Sequence, residues 1–294
     1  MINFTTEQLK QIPVFGIAGN FAEHLSQAGE DADFVKVKTA DPLAPKGIFP
    51  IYLPNHSSFL GVYPLSSNVI KADFSSPINL HMEPEMCVLF KVDYDANQRI
   101  QTLHPQAFSA FNDCSIRKPN AKKISEKKNW GLECTGLAQD WQAIDSFNTN
   151  DSLDNLHIAS FICRNQVVQT YGMDSPVRNY QYFYQKLLDW CVVTLNTQTD
   201  FGPLENLMGY LTDLGFPTQI IISLGATRYT PFGETGYLQP DDQIGIFVYD
   251  ANQTSEAALM DYFSQQTAQK NAQQPNSCIG SGCIGLIQSV KALS

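Results

Sequence analysis

Long helical periods of apolar residues are few in this chain, and Pro and Gly break up its first half. Met86–Asp93 (Met-Cys-Val-Leu-Phe-Lys-Val-Asp) predicts a strand, and Thr218–Leu224 and Ile244–Tyr249 are β-branched runs of the same kind. A Gly- and Pro-rich segment, 225–242, joins those last two. His157–Val168 predicts a strand, a turn near Arg164-Asn165 and a second strand. Helical spacing is clearest over Tyr180–Leu195, with shorter helices expected over Asn20–Gln27 and Ala257–Gln266. From Ile48 to Ile78 the chain is rich in Pro, Ser and aromatics, which predicts short strands and loops. The pentapeptide Tyr-Asp-Ala-Asn-Gln occurs at 94–98 and again at 249–253, each time after an apolar run. A shared turn chemistry explains it more simply than a duplicated unit. Residues 255–294 read as appended: one helix, a Gln/Asn-rich linker and a flexible tail holding a Gly/Cys cluster.

The 294 residues allow two domains or one large β-rich unit, and 43% hydrophobic content excludes a disordered chain. A net charge of −10 argues against sequence-independent nucleic-acid binding. No apolar run approaches the ~18–20 residues of a membrane span, and Met1–Gln11 lacks the pattern of a signal peptide. Seven cysteines, odd in number and scattered, read as reduced thiols of a cytoplasmic protein. Gly280–Gly285 matches a dinucleotide-binding string. It lacks the preceding strand, the following helix and the acidic partner that the geometry requires, so no nucleotide role is expected. Cys278 and Cys283 could pair or share a metal, but no second ligand pair lies nearby.

Candidate chemistry begins at Leu80–Cys87. If this segment opens the strand that runs through Val92, a period of two puts His81, Glu83, Glu85, Cys87 and Leu89 on one face. Two carboxylates beside apolar residues repel and lose solvation unless a positive charge sits between them, and a hard divalent cation meets that need. Taken alone, the spacing also suits a solvated strand end. Asp113 adds a third carboxylate where an apolar stretch ends. The basic run Arg117, Lys118, Lys122, Lys123, Lys127 and Lys128 reads either as a solvated face or as a cover for an anionic substrate.

Glu83-x-Glu85, then Asn112-Asp113-x-Ser115-x-Arg117, then Lys128-x-Trp130 resembles the fumarylacetoacetate hydrolase superfamily. Gly19–His24, Phe34-Val35-Lys36, Arg164–Gln169, Ile220–Gly225 and Leu238–Asp242 follow that family's pattern in order, over roughly Val14–Val248. The resemblance implies a β-rich α+β fold: a mixed β-roll of the family's C-terminal-domain type with a small N-terminal lid region. The corresponding divisions are 1–76 (lid region with a Pro-rich insertion), 77–254 (metal-binding β-roll) and 255–294 (appended helix and tail). It implies a homodimer that binds Mg²⁺ or Mn²⁺ through Glu83, Glu85 and Asp113 and acts on a small anionic 1,3-dicarbonyl or 2-oxo acid. By the same resemblance His24 is the general base and Lys128 holds a negative oxygen. Glu30 is a stand-in partner for His24, and Lys36, Arg117 and Thr227 contact substrate. Two positions depart from the pattern. Gln27 stands where hydrolytic relatives carry a Glu, and Ala226 stands where they carry a Thr. A non-catalytic ligand- or metal-binding homologue of the same fold is the alternative reading.

Overall fold

The computed structural model describes residues 2–293 apart from 22–26, 28, 30–33, 40, 119–120 and 269–281. In chain order its strands are β1 (Ile2–Asn3), β2 (Val14–Ala18), β3 (Gly47–Tyr52), β4 (Leu65–Ser66), β5 (Val69–Ala72), β6 (Leu80–His81), β7 (Pro84–Tyr94), β8 (Ile100–Asn112) and β9 (Ser115–Ile116). They continue as β10 (Thr135–Leu137), β11 (Asp140–Ala143), β12 (Leu156–Arg164), β13 (Val167–Thr170), β14 (Ser175–Pro176), β15 (Gln219–Ser223), β16 (Gln243–Asp250) and β17 (Cys283–Ala292). One mixed sheet runs β1-β11-β8-β7-β15-β2-β3, with β10 and β4 beside β8. A second runs β13-β12-β16-β17-β5 with β14 on β12, and β6 pairs with β9 alone. Neither large sheet closes into a barrel among the described residues. No helix there is long and apolar enough to cross a membrane.

The alternation read from the sequence sets the layers. On β7, Met86, Val88, Phe90 and Val92 join the large core between the sheets, whereas Cys87 and Leu89 face the opposite layer with Phe49 and Ile221. On β16, Ile244, Ile246 and Val248 face the same large core, and Phe247 and Tyr249 face outward onto Leu259 and Phe263 of the helix Glu256–Ala268. That helix approaches closely because Gly245 has no side chain; a Cβ there would lie 2.8 Å from the Phe263 ring.

Several expectations are met in detail. Asn165 and Gln166 take φ of +51° and +66°, the geometry of a two-residue hairpin turn between β12 and β13. The two Tyr-Asp-Ala-Asn-Gln copies share a turn: Asp95 Oδ1 accepts the Asn97 N–H (2.8 Å), and Asp250 Oδ1 accepts the Asn252 N–H (2.9 Å). Two expectations are corrected. The helix begins at Tyr184 rather than Tyr180, because Asn20 bonds both the N–H and the C=O of Tyr182 and takes that backbone out of helical pairing. Its buried stripe is Leu187, Cys191 and Leu195. The flexible-tail reading also fails, since β17 lies inside the second sheet between β16 and β5 and is mostly buried. Gly285 therefore pairs within a strand, and no helix follows the glycine string; Gly280 and Cys278 lie outside the described residues.

One side chain of β17 ties the sheets together. Gln288, fully buried, accepts from Asn112 Nδ2 (3.0 Å) and donates to the Ser66 carbonyl (3.0 Å). Gln288→Leu leaves the Asn112 amide and the Ser66 carbonyl short of partners. It should lower stability by ~1–3 kcal/mol, read as a lower urea midpoint at unchanged slope; an unchanged midpoint would show the bridge to be energetically idle.

Candidate metal centre

Glu83, Glu85 and Asp113 come together because the β7–β8 hairpin brings its two ends into register: Pro84 faces Asn112 and Glu85 faces Phe111. Pro84, which cannot donate to a ladder, is the first residue of its strand. The Asp113 N–H donates to the Glu83 carbonyl (3.0 Å), and the Glu83 N–H donates to Asn112 Oδ1 (3.1 Å). Gln288 thus fixes Asn112, and Asn112 fixes the turn that carries the acids. One oxygen from each of the three carboxylates lies within 4.8 Å of the others, and all three residues are buried, with at most 4% exposure. The acids face a cavity of about 20 Å³, room for one water or ion.

Counter-charge comes from two directions. Lys128, 2% exposed, donates to Glu83 Oε2 (2.7 Å), Asp113 Oδ2 (2.8 Å) and the Asp113 carbonyl (3.0 Å). These three contacts match the three protons of an ammonium group. Arg117 meets Glu83 Oε1 from the far side at 3.0 Å and also donates to His81 Nδ1 and the Tyr229 hydroxyl. His81 lies between the Tyr229 and Tyr237 rings, 5.0 and 4.7 Å away between centroids. Glu85 is bound differently: its Oε2 accepts the Gly225 N–H (2.8 Å), at a backbone φ of +112° that favours glycine. Burial pushes the Glu85 carboxyl well above its ordinary range. The charges of Asp113 and Glu83 push the same way, against Lys128 and the Gly225 N–H.

The basic run is not one face. Lys122 is exposed and Lys127 is buried; Lys123 Nζ holds Asp200 and the Gly202 and Leu204 carbonyls. With Ile124 N–H on the Pro203 carbonyl (3.2 Å) and Ser125 Oγ on Glu205 Oε1 (3.0 Å), these bonds dock the 3₁₀ turn Ile124–Lys127 that delivers Lys128. Nothing in the local sequence reveals this docking, which joins residues about eighty positions apart.

Of the remaining predicted residues, the described ones do not line the cavity. Lys36 is exposed. Thr227 is buried, with its N–H on the Pro84 carbonyl, and the cavity is lined instead by Ala226. Gln27 does not face the acids: its amide exchanges two hydrogen bonds with the backbone of Tyr229 (2.9 and 3.3 Å). His24 and Glu30 lie outside the described residues. Asn20 and Phe49, which line the cavity, were not singled out as site residues from the sequence.

Three carboxylates suit a hard divalent cation. Opposite ligands around Mg²⁺, at bonds of ~2.1 Å, lie ~4.2 Å apart, within an ångström of the spread seen here.

The family model described as "Family of unknown function (DUF5718)" matches residues 30–277. No curated protein matches the sequence. Among solved structures, a putative HpcE protein from Mycobacterium smegmatis aligns at a TM-score of 0.51 and 13% identity, over 97% of this chain and 77% of that one. A 2-keto-3-deoxy-D-arabinonate dehydratase complexed with magnesium and 2,5-dioxopentanoate aligns at 0.50 and 15%, over 100% and 83%. A putative fumarylacetoacetate hydrolase family protein from Yersinia pestis CO92 aligns at 0.46 and 14%, over 81% and 89%. The β-rich fold expected from the sequence resemblance is the fold the chain adopts.

Glu205, which anchors the Lys128 turn, has its carboxyl pushed up to about 7 by burial, against hydrogen bonds from Ser125 and Tyr210 and the Lys123 charge. Its Oε2 has no partner among the described residues. With a folded value above the ordinary 4.5, its contribution to stability is complete below about pH 4.5 and is lost as pH rises through about 7. Glu205→Gln should therefore gain on the wild type between pH 5 and pH 8, by on the order of 3 kcal/mol at most. Urea titrations at both pH values check this, and an equal offset at the two would contradict it.

Proposed function

The chain belongs to the DUF5718 family, and we propose that this protein is a divalent-cation-dependent enzyme acting on a small 2-oxo or 1,3-dicarbonyl carboxylate. The observation that carries this reading is the buried cluster of Glu83, Glu85 and Asp113 around a cavity the size of one ion. The dehydratase it resembles in fold was solved with magnesium and a dioxo acid. In this reading the three carboxylates hold Mg²⁺ or Mn²⁺, whose role when bound is to polarise a carbonyl and favour enolate-like charge.

The chain's own residues supply the rest. Lys128, against Glu83 and Asp113, and Arg117, against Glu83, offset the repulsion among the carboxylates. Lys128 also lines the cavity and is the proton donor for an anionic oxygen of the ligand, exchanging one carboxylate partner for it. His24 is the base by resemblance, with Glu30 as the next candidate. Reaction subclass (hydrolysis, decarboxylation or isomerisation) belongs to the screen below. Cys87, Cys114, Cys134, Cys163 and Cys191 are buried free thiols, as a reducing, cytoplasmic setting would keep them, but Cys283 is disulfide-bonded, against the expectation of thiols throughout.

A second reading, a binding homologue without turnover, is favoured by two observations: the Ala226 methyl group at the cavity wall and the Gln27 amide held by Tyr229.

Titration calorimetry with Mn²⁺ should give one ion per chain, and Asp113→Asn or Glu85→Gln should weaken binding by at least about tenfold. Retained affinity in both variants would remove the reading. On any responsive acylpyruvate or oxaloacetate substrate, His24→Ala should lower kcat by roughly 10² to 10⁴ with metal affinity unchanged. Ligand binding without turnover in the wild type would select the second reading.

A further inference from the structure

Resting on that reading, we infer that the ligand taken beside the three carboxylates is a 2-oxo acid carrying one carboxylate and an apolar substituent, and that a second carboxylate on it is discriminated against. The first ground is charge. Among the described residues, three buried carboxyl groups are in bonding contact with two cations, Lys128 and Arg117, and Glu85 accepts from a neutral N–H. With all three carboxylates ionised around a divalent cation, the charges of these described groups sum to a single positive excess. One carboxylate cancels it, whereas a second would be buried with no counter-ion among the described residues, which is costly in so dry a place.

The second ground is the wall. Apart from the acids, the described lining is mostly apolar: Ile17, Phe21, Phe34, Phe49, Ile124 and Ala226. Lys128 is the one cation among the described lining residues, since Arg117 stands behind Glu83. Asn20 also lines the cavity, but its amide is engaged by the backbone of Tyr182 and Leu224. It therefore offers no ready site for another anionic group.

The third ground is that part of this wall is closely packed. The Phe49 ring packs closely on Gly16, where a Cβ would come within 2.5 Å of its Cζ, and Lys128 Nζ stands 5.7 Å from the ring centroid. The cavity now has room for an ion, so the substituent takes space presently filled by Phe21 and Phe34. Among the described residues it meets aromatic carbon there. A site built this way rejects an added charge far more strongly than it rejects an added methylene.

The test compares 2-oxopentanoate with 2-oxoglutarate, which differ by a terminal methyl against a carboxylate, in calorimetric titrations of the full chain loaded with Mn²⁺. The expected result is binding of 2-oxopentanoate at least about tenfold tighter, with the ratio narrowed in Phe34→Arg; the wild-type comparison decides the matter if that variant does not fold. Equal or tighter binding of 2-oxoglutarate overturns this inference and leaves the metal centre standing. Binding of neither acid to the loaded protein overturns this inference and the proposed function together.

Discussion

Three carboxylates inside a protein and within 4.8 Å of one another repel unless cations stand among them. Lys128 is the group that makes this arrangement possible, since its contacts reach two of the acids and the backbone between β8 and β9. Much of the neighbouring architecture serves to put that one ammonium in place. The Ile124–Lys127 turn is docked on residues 200–205, and the hairpin ends are locked through Asn112 and Gln288. Arg117 relieves Glu83 from the other side, which leaves Glu85 the least compensated of the three. A site with one carboxylate in excess is one prepared for an additional cation.

The parts of this arrangement that sequence could show are those set by local periodicity or short turns. The strand face shared by Glu85, Cys87 and Leu89, the hairpin at 164–167 and the stripe of the 184–197 helix all follow from spacing within a dozen residues. The Glu-x-Glu spacing and the ordered motifs also pointed to the acids that the fold brings together.

What could not be read depends on distant partners. Strand β17 follows a polar linker and opens with Gly and Cys, so nothing local marks it as buried; its status comes from β16 and β5 on either side. Gln288 and Asn112 are separated by 176 positions, and Ser125 and Glu205 by 80. Gln27 stands where hydrolytic relatives carry a Glu, and both ends of its amide meet the Tyr229 backbone, a contact across 202 positions. Thr227 looked like a substrate donor from its place beside Ala226. The chain turns there so that the methyl group reaches the cavity, while the Thr227 backbone pairs with Pro84.

The account stands on one claim, that the excess carboxylate is matched by a divalent cation at this cluster. Anomalous diffraction from a crystal of the full chain grown with Mn²⁺ tests it most directly. The account predicts a single strong peak bonded to Glu83, Glu85 and Asp113 at ~2.1–2.2 Å. A map in which Lys128 keeps its contacts to Glu83 and Asp113, with no peak among the three acids at saturating Mn²⁺, would contradict it.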